Sequence, residues 1–139
     1  MKKILTAVVA VLAMVTMVFG MTACGQTPEQ KLNAYIESET FQTQLDSMKS
    51  SVESMMDVDV KAEENKLIYE ITYKTQIDDS LLDATKEQLD STFNAMSSTY
   101  ENLANSMKEE VGIDNPVVVL SILNADGKEI TSLEFSATE

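Results

Sequence analysis

Residues 57–73, DVDVKAEENKLIYEITY, decide the fold class of this chain. In the first half of the stretch, charged and apolar side chains alternate, which is the period of a strand with one buried face. The polar residues 63–66 interrupt the alternation, and residues 67–73 resume it. The stretch therefore predicts two strands joined as a hairpin.

Upstream of this hairpin, apolar residues recur at the three- and four-residue spacing of a helix. Pro28 suits the first helical turn, with Thr27 as its cap. The spacing becomes irregular over residues 36–41, where Ser38 is suited to an internal cap. The segment is therefore either one kinked helix or two short ones, and it ends near Met56.

Downstream of the hairpin, residues 80–111 form the most regular segment of the chain and predict one long amphipathic helix. Ser80 and Asp83 resemble a capping box at its start, and Gly112 is placed to end it. At 1.5 Å per residue such a helix is roughly 45 Å long. Two apolar rows repeat along it every seven residues: Leu82, Leu89, Met96 and Leu103, and beside them Phe93, Tyr100 and Met107. We expect these rows to pack on the sheet, the alternative being a coiled-coil dimer through the same helix.

A second hairpin is predicted at the end of the chain. Residues 117–123 are a near-continuous apolar run, as expected of a well-buried strand. Residues 124–127, Asn-Ala-Asp-Gly, predict a tight turn in which Gly127 takes a positive φ. Residues 130–135 supply the partner strand. Three of its side chains can share one face: Thr131, Leu133 and Phe135.

A helix followed by a hairpin thus occurs twice, which suggests an internal repeat at an offset of 62 residues. The order α-β-β-α-β-β predicts an α+β fold. We expect a two-layer sandwich in which two amphipathic helices cover one face of a four-stranded, mainly antiparallel sheet. The other face is left partly wet, and its side chains include Asp57, Asp59, Glu70 and Thr72.

The first 24 residues predict a targeting signal rather than an element of this fold. Two lysines precede the apolar residues 4–19, and small residues then lead to Cys24, the only cysteine of the chain. This is the layout of a secretory signal, whose apolar core is too short to span a bilayer comfortably. Met21-Thr22-Ala23-Cys24 resembles a lipobox, in which the cysteine receives a diacylglyceryl group and the chain is cut between Ala23 and Cys24. The alternatives are an ordinary signal peptide or an uncleaved anchor, with Cys24 incidental.

These features predict the domain organisation and the location. Residues 1–23 are a lipoprotein signal peptide, residues 24–28 are the lipidated cysteine with a short tether, and residues 29–136 are a single α+β domain. Two acyl chains of the palmitate type, at roughly 0.8 kcal/mol per buried methylene, anchor a protein stably. The expected location is the extracytoplasmic face of the cell membrane.

Composition excludes several classes of partner and reaction. Removing residues 1–23 leaves 116 residues and moves the net charge from −13 to −15, which repels nucleic acid and anionic lipid headgroups. There is no histidine, and lipidation consumes the only thiol. Ser-His-Asp and Cys-His catalysis and the usual zinc sites are therefore excluded. We expect no cofactor, no metal and no nucleic-acid partner.

Carboxylates are the remaining candidates for acid–base chemistry, which requires one carboxyl with a raised pKa in a pocket. The adjacent or spaced pairs are Asp57/Asp59, Glu63/Glu64, Asp78/Asp79 and Glu109/Glu110. These pairs fall in expected turns, exposed strand faces and helix ends, so we expect no catalytic residue. Asn124, Asp126, Gly127 and Glu129 match part of an EF-hand loop, but the other spaced ligands are missing, and a hairpin turn is favoured.

Two functional classes remain. The first is a lipid-anchored, non-catalytic binding or adaptor protein that holds a protein or peptide partner on the open sheet face or a sheet edge. The alternative is a small-ligand or peptide carrier or sensor with a pocket between helices and sheet, lined by Met55, Tyr69, Tyr73, Phe93 and Tyr100. The first is preferred because a core of this size can hardly spare a void. Without its lipid, the domain is expected to be monomeric.

Four stretches together resemble one known family. They are the lipobox at positions 21–24, Tyr35-Ile36-Glu37-Ser38, the alternating strand over residues 67–73, and the hairpin Leu123-Asn124-Ala125-Asp126-Gly127. The family consists of short bacterial lipoproteins of about this length that carry a domain of unknown function. The resemblance implies a secreted, lipid-anchored protein and supplies no catalytic residues.

Overall fold

The computed structural model describes residues 27–138 and has the predicted α+β architecture. The order α-β-β-α-β-β is present, but each of the two predicted helical regions is divided. The elements are α1 (Pro28–Glu37), α2 (Glu39–Val52), β1 (Met56–Glu63), β2 (Lys66–Tyr73), α3 (Asp79–Ala95), α4 (Ser97–Ser106), a π-helical turn (Met107–Val111), β3 (Val117–Leu123) and β4 (Glu129–Ser136).

Local caps explain the first two helices. Thr27 caps α1 in a reciprocal capping box with Gln30, as each side chain accepts a hydrogen bond from the other's backbone N–H. Ser38 has extended backbone (φ −62°, ψ 143°), and its hydroxyl accepts a hydrogen bond from the Phe41 N–H at 3.3 Å. The alternative of two short helices is therefore correct. The second helix ends at Val52 rather than near Met56, because Met56 pairs with β2.

The single 45 Å helix predicted over residues 80–111 is wrong. Helix α3 ends at Ala95 and α4 begins at Ser97, because Met96 departs from helical geometry (φ −103°, ψ 14°). An eight-residue strand is only about 26 Å long, so one straight helix of roughly 45 Å would extend beyond the sheet. The predicted capping box is also corrected: Asp78 is the N-cap, and it accepts hydrogen bonds from the backbone and the side chain of Ser80.

The sheet has the order β1-β2-β3-β4. The pairs β1–β2 and β3–β4 are antiparallel hairpins, and the central pair β2–β3 is parallel. Parallel neighbours need a long crossover connection, which α3, α4 and the π-helical turn provide. The sheet is thus mainly antiparallel, with β1 and β4 at its edges.

This central parallel pair rules out the suggested internal repeat as a symmetry of the fold. The equivalent strands of the two halves would be β1 and β3, and β2 and β4. Because β2 is antiparallel to β1 and parallel to β3, the strands β1 and β3 run in opposite directions. A half-turn about the sheet normal aligns these directions but reverses the lateral order of the two strands. No rotation superposes the halves while it keeps the helices on one face.

The hydrophobic core joins the helices to one face of the sheet, as the two-layer prediction requires. The predicted apolar rows point into this core: Leu89 and Phe93 on α3 and Met107 in the π-helical turn are fully buried, and Leu82 and Met96 pack against the cluster. The interpretation that these rows pack on the sheet is confirmed. Core residues on the strands alternate in register: Met56, Val58, Leu67, Tyr69, Ile71, Tyr73, Val118, Leu120, Ile122 and Phe135.

The opposite face is polar at its β1 side, where the register brings together the four predicted residues Asp57, Asp59, Glu70 and Thr72. At its centre, however, Ile68 and Val119 are paired and only 9% and 6% exposed. They are flanked by two ion pairs, Lys61–Glu70 at 3.3 Å and Lys66–Glu134 at 3.2 Å. The aliphatic stems of these charged side chains shield the small apolar patch from water.

Two contacts join parts of the chain that are far apart in sequence. The carboxylate of Glu29, in the first turn of α1, accepts a hydrogen bond from the N–H of Glu64 at 3.1 Å, so the β1–β2 turn lies beside the start of α1. The hairpin turn between β3 and β4 is confirmed, and Gly127 has the expected positive φ of 86°. The preceding Asn124 is fully buried and hydrogen-bonded to both backbone groups of Ile77.

Candidate binding site

A groove of about 590 Å³ runs along the outer edge of β1. One wall is the flank of α2, and the floor is the first half of β1 with the end of β2. The lining residues are Asp46, Lys49, Ser50 and Glu53 from α2, Met56, Asp57, Val58 and Asp59 from β1, and Thr72 and Lys74 at the end of β2.

The wall of the groove follows from the helical period of α2. Leu45, Met48 and Val52 face the core and fix the rotation of the helix. The polar residues at positions 46, 49, 50 and 53 lie on the neighbouring side of the helix, because 46 is three and four residues from 49 and 50, and 53 is four and three residues from the same two. The same rotation that buries the apolar stripe therefore turns this polar flank toward β1.

The floor of the groove presents free backbone groups. The Lys74 N–H donates to the Met55 carbonyl oxygen at 2.9 Å, which makes these two residues a hydrogen-bonded pair at the open end of the hairpin. Because such pairs alternate along antiparallel strands, Met56 and Val58 direct their N–H and C=O groups away from β2. Within residues 27–138, no hydrogen bond uses these outward groups.

The groove is acidic, with four carboxylates and two lysines. Lys74 lies 3.5 Å from Asp57 and also donates to the Glu53 carbonyl oxygen at 2.5 Å, and Lys49 lies 3.9 Å from Asp59. The side chains of Asp57 and Asp59 are 69% and 78% exposed. Exposed ion pairs of this kind contribute only about 0–1 kcal/mol, so the lysines hold the carboxylates weakly.

Two carboxyl groups outside the groove, Asp78 and Asp90, have lowered pKa values. Hydrogen bonds from the backbone and side chain of Ser80 lower the pKa of Asp78. Burial opposes ionisation of Asp90, but hydrogen bonds from Lys86 and Thr131 outweigh it and lower the pKa. Both shifts favour the ionised form, which is the opposite of what a general acid needs.

The aromatic residues predicted to line a ligand pocket are brought together by the fold, but in the packed core. Tyr69, Tyr73, Phe93 and Tyr100 are buried and Met55 packs against them at the edge of the cluster. Burial raises the pKa of Tyr73 to about 12, and it raises the pKa of Tyr69 and Tyr100 further. The hydroxyls of Tyr69 and Tyr100 have no hydrogen-bond partner in the part of the chain that the structure describes.

The other predicted site residues are dispersed. Ala23 and Cys24, the predicted cleavage and lipidation positions, lie outside the described residues. Of the carboxylate pairs, the groove contains Asp57 and Asp59, whereas Glu63/Glu64, Asp78/Asp79 and Glu109/Glu110 lie respectively at the β1–β2 turn, the start of α3 and the π-helical turn.

Residues 27–138 contain neither a membrane-spanning helix nor a cluster of metal ligands. No helix in this range is long and apolar enough to cross a membrane. Over the same residues, no three His, Cys, Asp or Glu side chains are grouped so that they could hold a metal ion.

Sequence reasoning missed the contribution of α2 to the groove. Asp46, Lys49 and Glu53 are not among the predicted site residues, although their spacing of three and four residues places them on one side of an amphipathic helix. What the sequence could not give is that this side faces a strand edge, because that depends on where β1 lies in the sheet.

The family model for a domain of unknown function (DUF4854) matches residues 32–135 of the 139-residue chain. The match covers all four strands except the last residue of β4, and all of the helical region except the first turn of α1. No curated protein and no solved structure gives a significant match.

Proposed function

Since the chain belongs to the DUF4854 family, we propose that it is a lipid-anchored, extracytoplasmic binding or adaptor protein without catalytic activity. Cys24 carries the lipid, residues 1–23 direct secretion, and the folded domain holds a protein or peptide partner in the groove along β1. The groove is the observation that carries this proposal, because it combines a wall of charged side chains with free backbone groups of an edge strand.

Two observations support binding rather than catalysis. The carboxyls of Asp57 and Asp59 in the groove are largely exposed, where their weak ion pairs can be exchanged for pairs with a partner. Outside the groove, hydrogen bonds within the fold lower the pKa of Asp78 and Asp90, which favours their ionised form.

The partner is tested in living cells with a photo-crosslinking amino acid placed at Ser50, an exposed residue of the groove wall. The matched control is the same amino acid at Glu87, an exposed position of α3, which packs at the opposite edge of the sheet. We expect one reproducible partner, identified by mass spectrometry, from position 50 and not from position 87. The same products from both positions, or none from position 50, would refute the groove as the binding site.

The anchor is tested separately by metabolic labelling with radioactive palmitate. We expect the wild type to incorporate the label and to sediment with membranes, and the Cys24→Ala variant to do neither. Labelling that persists in the variant would place the lipid on another residue, and a wild type without label would refute the lipid anchor.

A second candidate function, a small-ligand carrier, is favoured by one observation, the buried and unpartnered hydroxyls of Tyr69 and Tyr100. Buried polar groups are nearly always hydrogen-bonded, and a ligand between helices and sheet could supply the acceptor. The test is a thermal shift with small apolar ligands that carry one acceptor. A ligand that raises Tm in the secreted Cys24→Ala form, but not in Tyr69→Phe or Tyr100→Phe, would favour the carrier.

A further inference from the structure

We propose that the β1 groove binds an extended, lysine- or arginine-rich segment of its partner, which pairs with β1 as a fifth strand. The inference rests on the proposed binding function and adds the chemistry and the conformation of the bound segment.

The outer edge of β1 has the hydrogen-bonding groups that strand addition needs. Met56 and Val58 each offer an N–H donor and a C=O acceptor toward the groove, and no hydrogen bond among residues 27–138 uses them. Edge strands commonly blunt such rows with a proline, a lysine or a bulge. Positions 56–59 contain no proline, lysine or bulge, and the pairing of β1 with β2 is regular throughout. The charged side chains there, Asp57 and Asp59, repel an acidic strand but attract a basic one.

The other edge of the sheet is less suited. Helices pack against both edge strands, but the β3–β4 register is interrupted between Ile122 and Leu123, whereas the β1–β2 register is regular. The edge at β1 therefore offers an added strand both free backbone hydrogen-bonding groups and the space of the groove.

The floor of the groove offers little apolar surface. The side chains of Met56 and Val58 point into the core, with 1% and 3% of their surface exposed. A partner that relied on apolar side chains would find no pocket there. The available interactions are backbone hydrogen bonds and charge.

The charges specify the side chains of the bound segment. Asp57 and Asp59 are two residues apart on one face of β1, and an added strand repeats that spacing of about 6.8 Å with every second side chain. Lysine or arginine at those alternate positions would lie beside the two carboxylates. Asp46 and Glu53 on the α2 wall add negative charge, and the weak pairs with Lys49 and Lys74 are readily exchanged.

The probe for the test is a fluorescein-labelled seven-residue peptide in which lysine alternates with threonine, titrated into the full chain in detergent micelles. Two further peptides carry N-methyl groups either on all threonines or on all lysines, so each blocks one edge of the peptide strand and keeps its charge. We expect one isomer to bind like the parent and the other to bind about tenfold more weakly or worse. The weakened isomer also reports strand direction, because antiparallel pairing uses the threonine amides and parallel pairing uses the lysine amides.

Charge recognition is tested with the double variant Asp57→Asn/Asp59→Asn. Its matched control is Asp83→Asn/Glu87→Gln, which removes the same charge from exposed positions of α3. We expect the first variant to weaken binding of the parent peptide by about three- to tenfold and the control to stay within about twofold. Circular dichroism with unchanged Tm in both variants shows that the fold is retained.

Equal affinities for the two N-methylated peptides, whether both retained or both lost, would overturn strand addition. Equal effects of the two charge variants would overturn recognition by Asp57 and Asp59. Either result leaves the proposed function standing if Ser50 still captures a single partner in cells. Capture of a second copy of this chain at Ser50 would overturn the proposal of a basic partner, because it would show that the groove mediates self-association.

Discussion

Asn124 illustrates how one side chain can hold two distant loops together. Its amide nitrogen donates to the Ile77 carbonyl oxygen at 3.0 Å, and its amide oxygen accepts from the N–H groups of Ile77 and Ala125 at 2.9 and 3.0 Å. The side chain is fully buried. The segment before α3 is thereby fixed to the β3–β4 turn.

Asn124→Ala is expected to lower the free energy of unfolding by about 2–4 kcal/mol, because both backbone groups of Ile77 lose their partner. The measurement is urea denaturation followed by circular dichroism. Asn102→Ala, at an exposed position of α4, is the control and should change stability by less than about 0.5 kcal/mol. A loss below about 1 kcal/mol at Asn124 would mean that water replaces the amide.

Asp90 gives a pH-dependent prediction. Its pKa is lower in the folded chain than in the unfolded one, where an aspartate has a pKa of about 3.9. On acidification the unfolded state binds the proton first, so the stabilisation is fully present above that pKa and is lost as the pH falls through the lower folded pKa.

Asp90→Asn should therefore cost about 1–2 kcal/mol at pH 7, and the difference from wild type should shrink as the pH falls below about 4. Unfolding curves at pH 7, 5 and 3 measure it. The control is Asp83→Asn, at an exposed position of α3, which should change stability at pH 7 by less than about 0.5 kcal/mol. A difference that is independent of pH would show that the carboxylate charge is not what stabilises.

Features of single residues were predictable where the signal is local. Thr27, Ser38 and Gly127 have the predicted roles because a cap or a tight turn is decided within a few residues. Asp78 was missed as the cap of α3 because the capping box at Ser80 is a similar signal two positions on. Asn124 could not be assigned, since its partner Ile77 is 47 residues away.

At the scale of elements, the heptad rows correctly predict which face of the helical region is buried. They do not predict that the region is divided into two helices. The break at Met96 redirects the chain so that Tyr100 meets both Phe93 and Phe135, with ring centroids 6.3 and 4.8 Å apart. A straight helix would carry the second half of its stripe past the sheet. Both halves of the stripe keep the same period, so periodicity alone does not reveal the break.

Leu103→Ala is expected to cost about 2–5 kcal/mol, because Leu103 is 7% exposed and its truncation leaves a cavity. Leu81→Ala is the control, since Leu81 is 46% exposed and should change stability by less than about 0.5 kcal/mol. Chemical denaturation of the two variants in parallel measures both values. Similar small losses would mean that the row on α4 does not face the core.

At the scale of the whole molecule, the two hairpins were predictable, but their relation in the sheet was not. Alternation fixes which side chains share a face within one hairpin. Whether β2 and β3 run parallel depends on how the crossover helices pack, and no short pattern encodes this. The position of the groove could not be predicted for the same reason, because only the strand order places β1 at an edge of the sheet.

We expect the secreted Cys24→Ala form to be monomeric, which multi-angle light scattering would measure over a range of concentrations. The apolar rows of α3 and α4 are used within the molecule, and among residues 27–138 Leu81 is the only large apolar side chain that is clearly exposed. A stable dimer that Leu81→Lys dissociates would contradict this expectation.

The contact between Glu29 and Glu64 sets how the domain would stand on a bilayer. With the proposed lipid on Cys24, only residues 25–27 separate the lipid from α1. Three residues of chain span at most about 10 Å, so the start of α1 would stay near the headgroups. The β1–β2 turn is held beside that start, and the groove lies at the other end of β1, roughly 20 Å further along the strand. In this orientation the hairpin tip would point toward the bilayer, and the proposed binding edge of β1 would face the aqueous space farther from it.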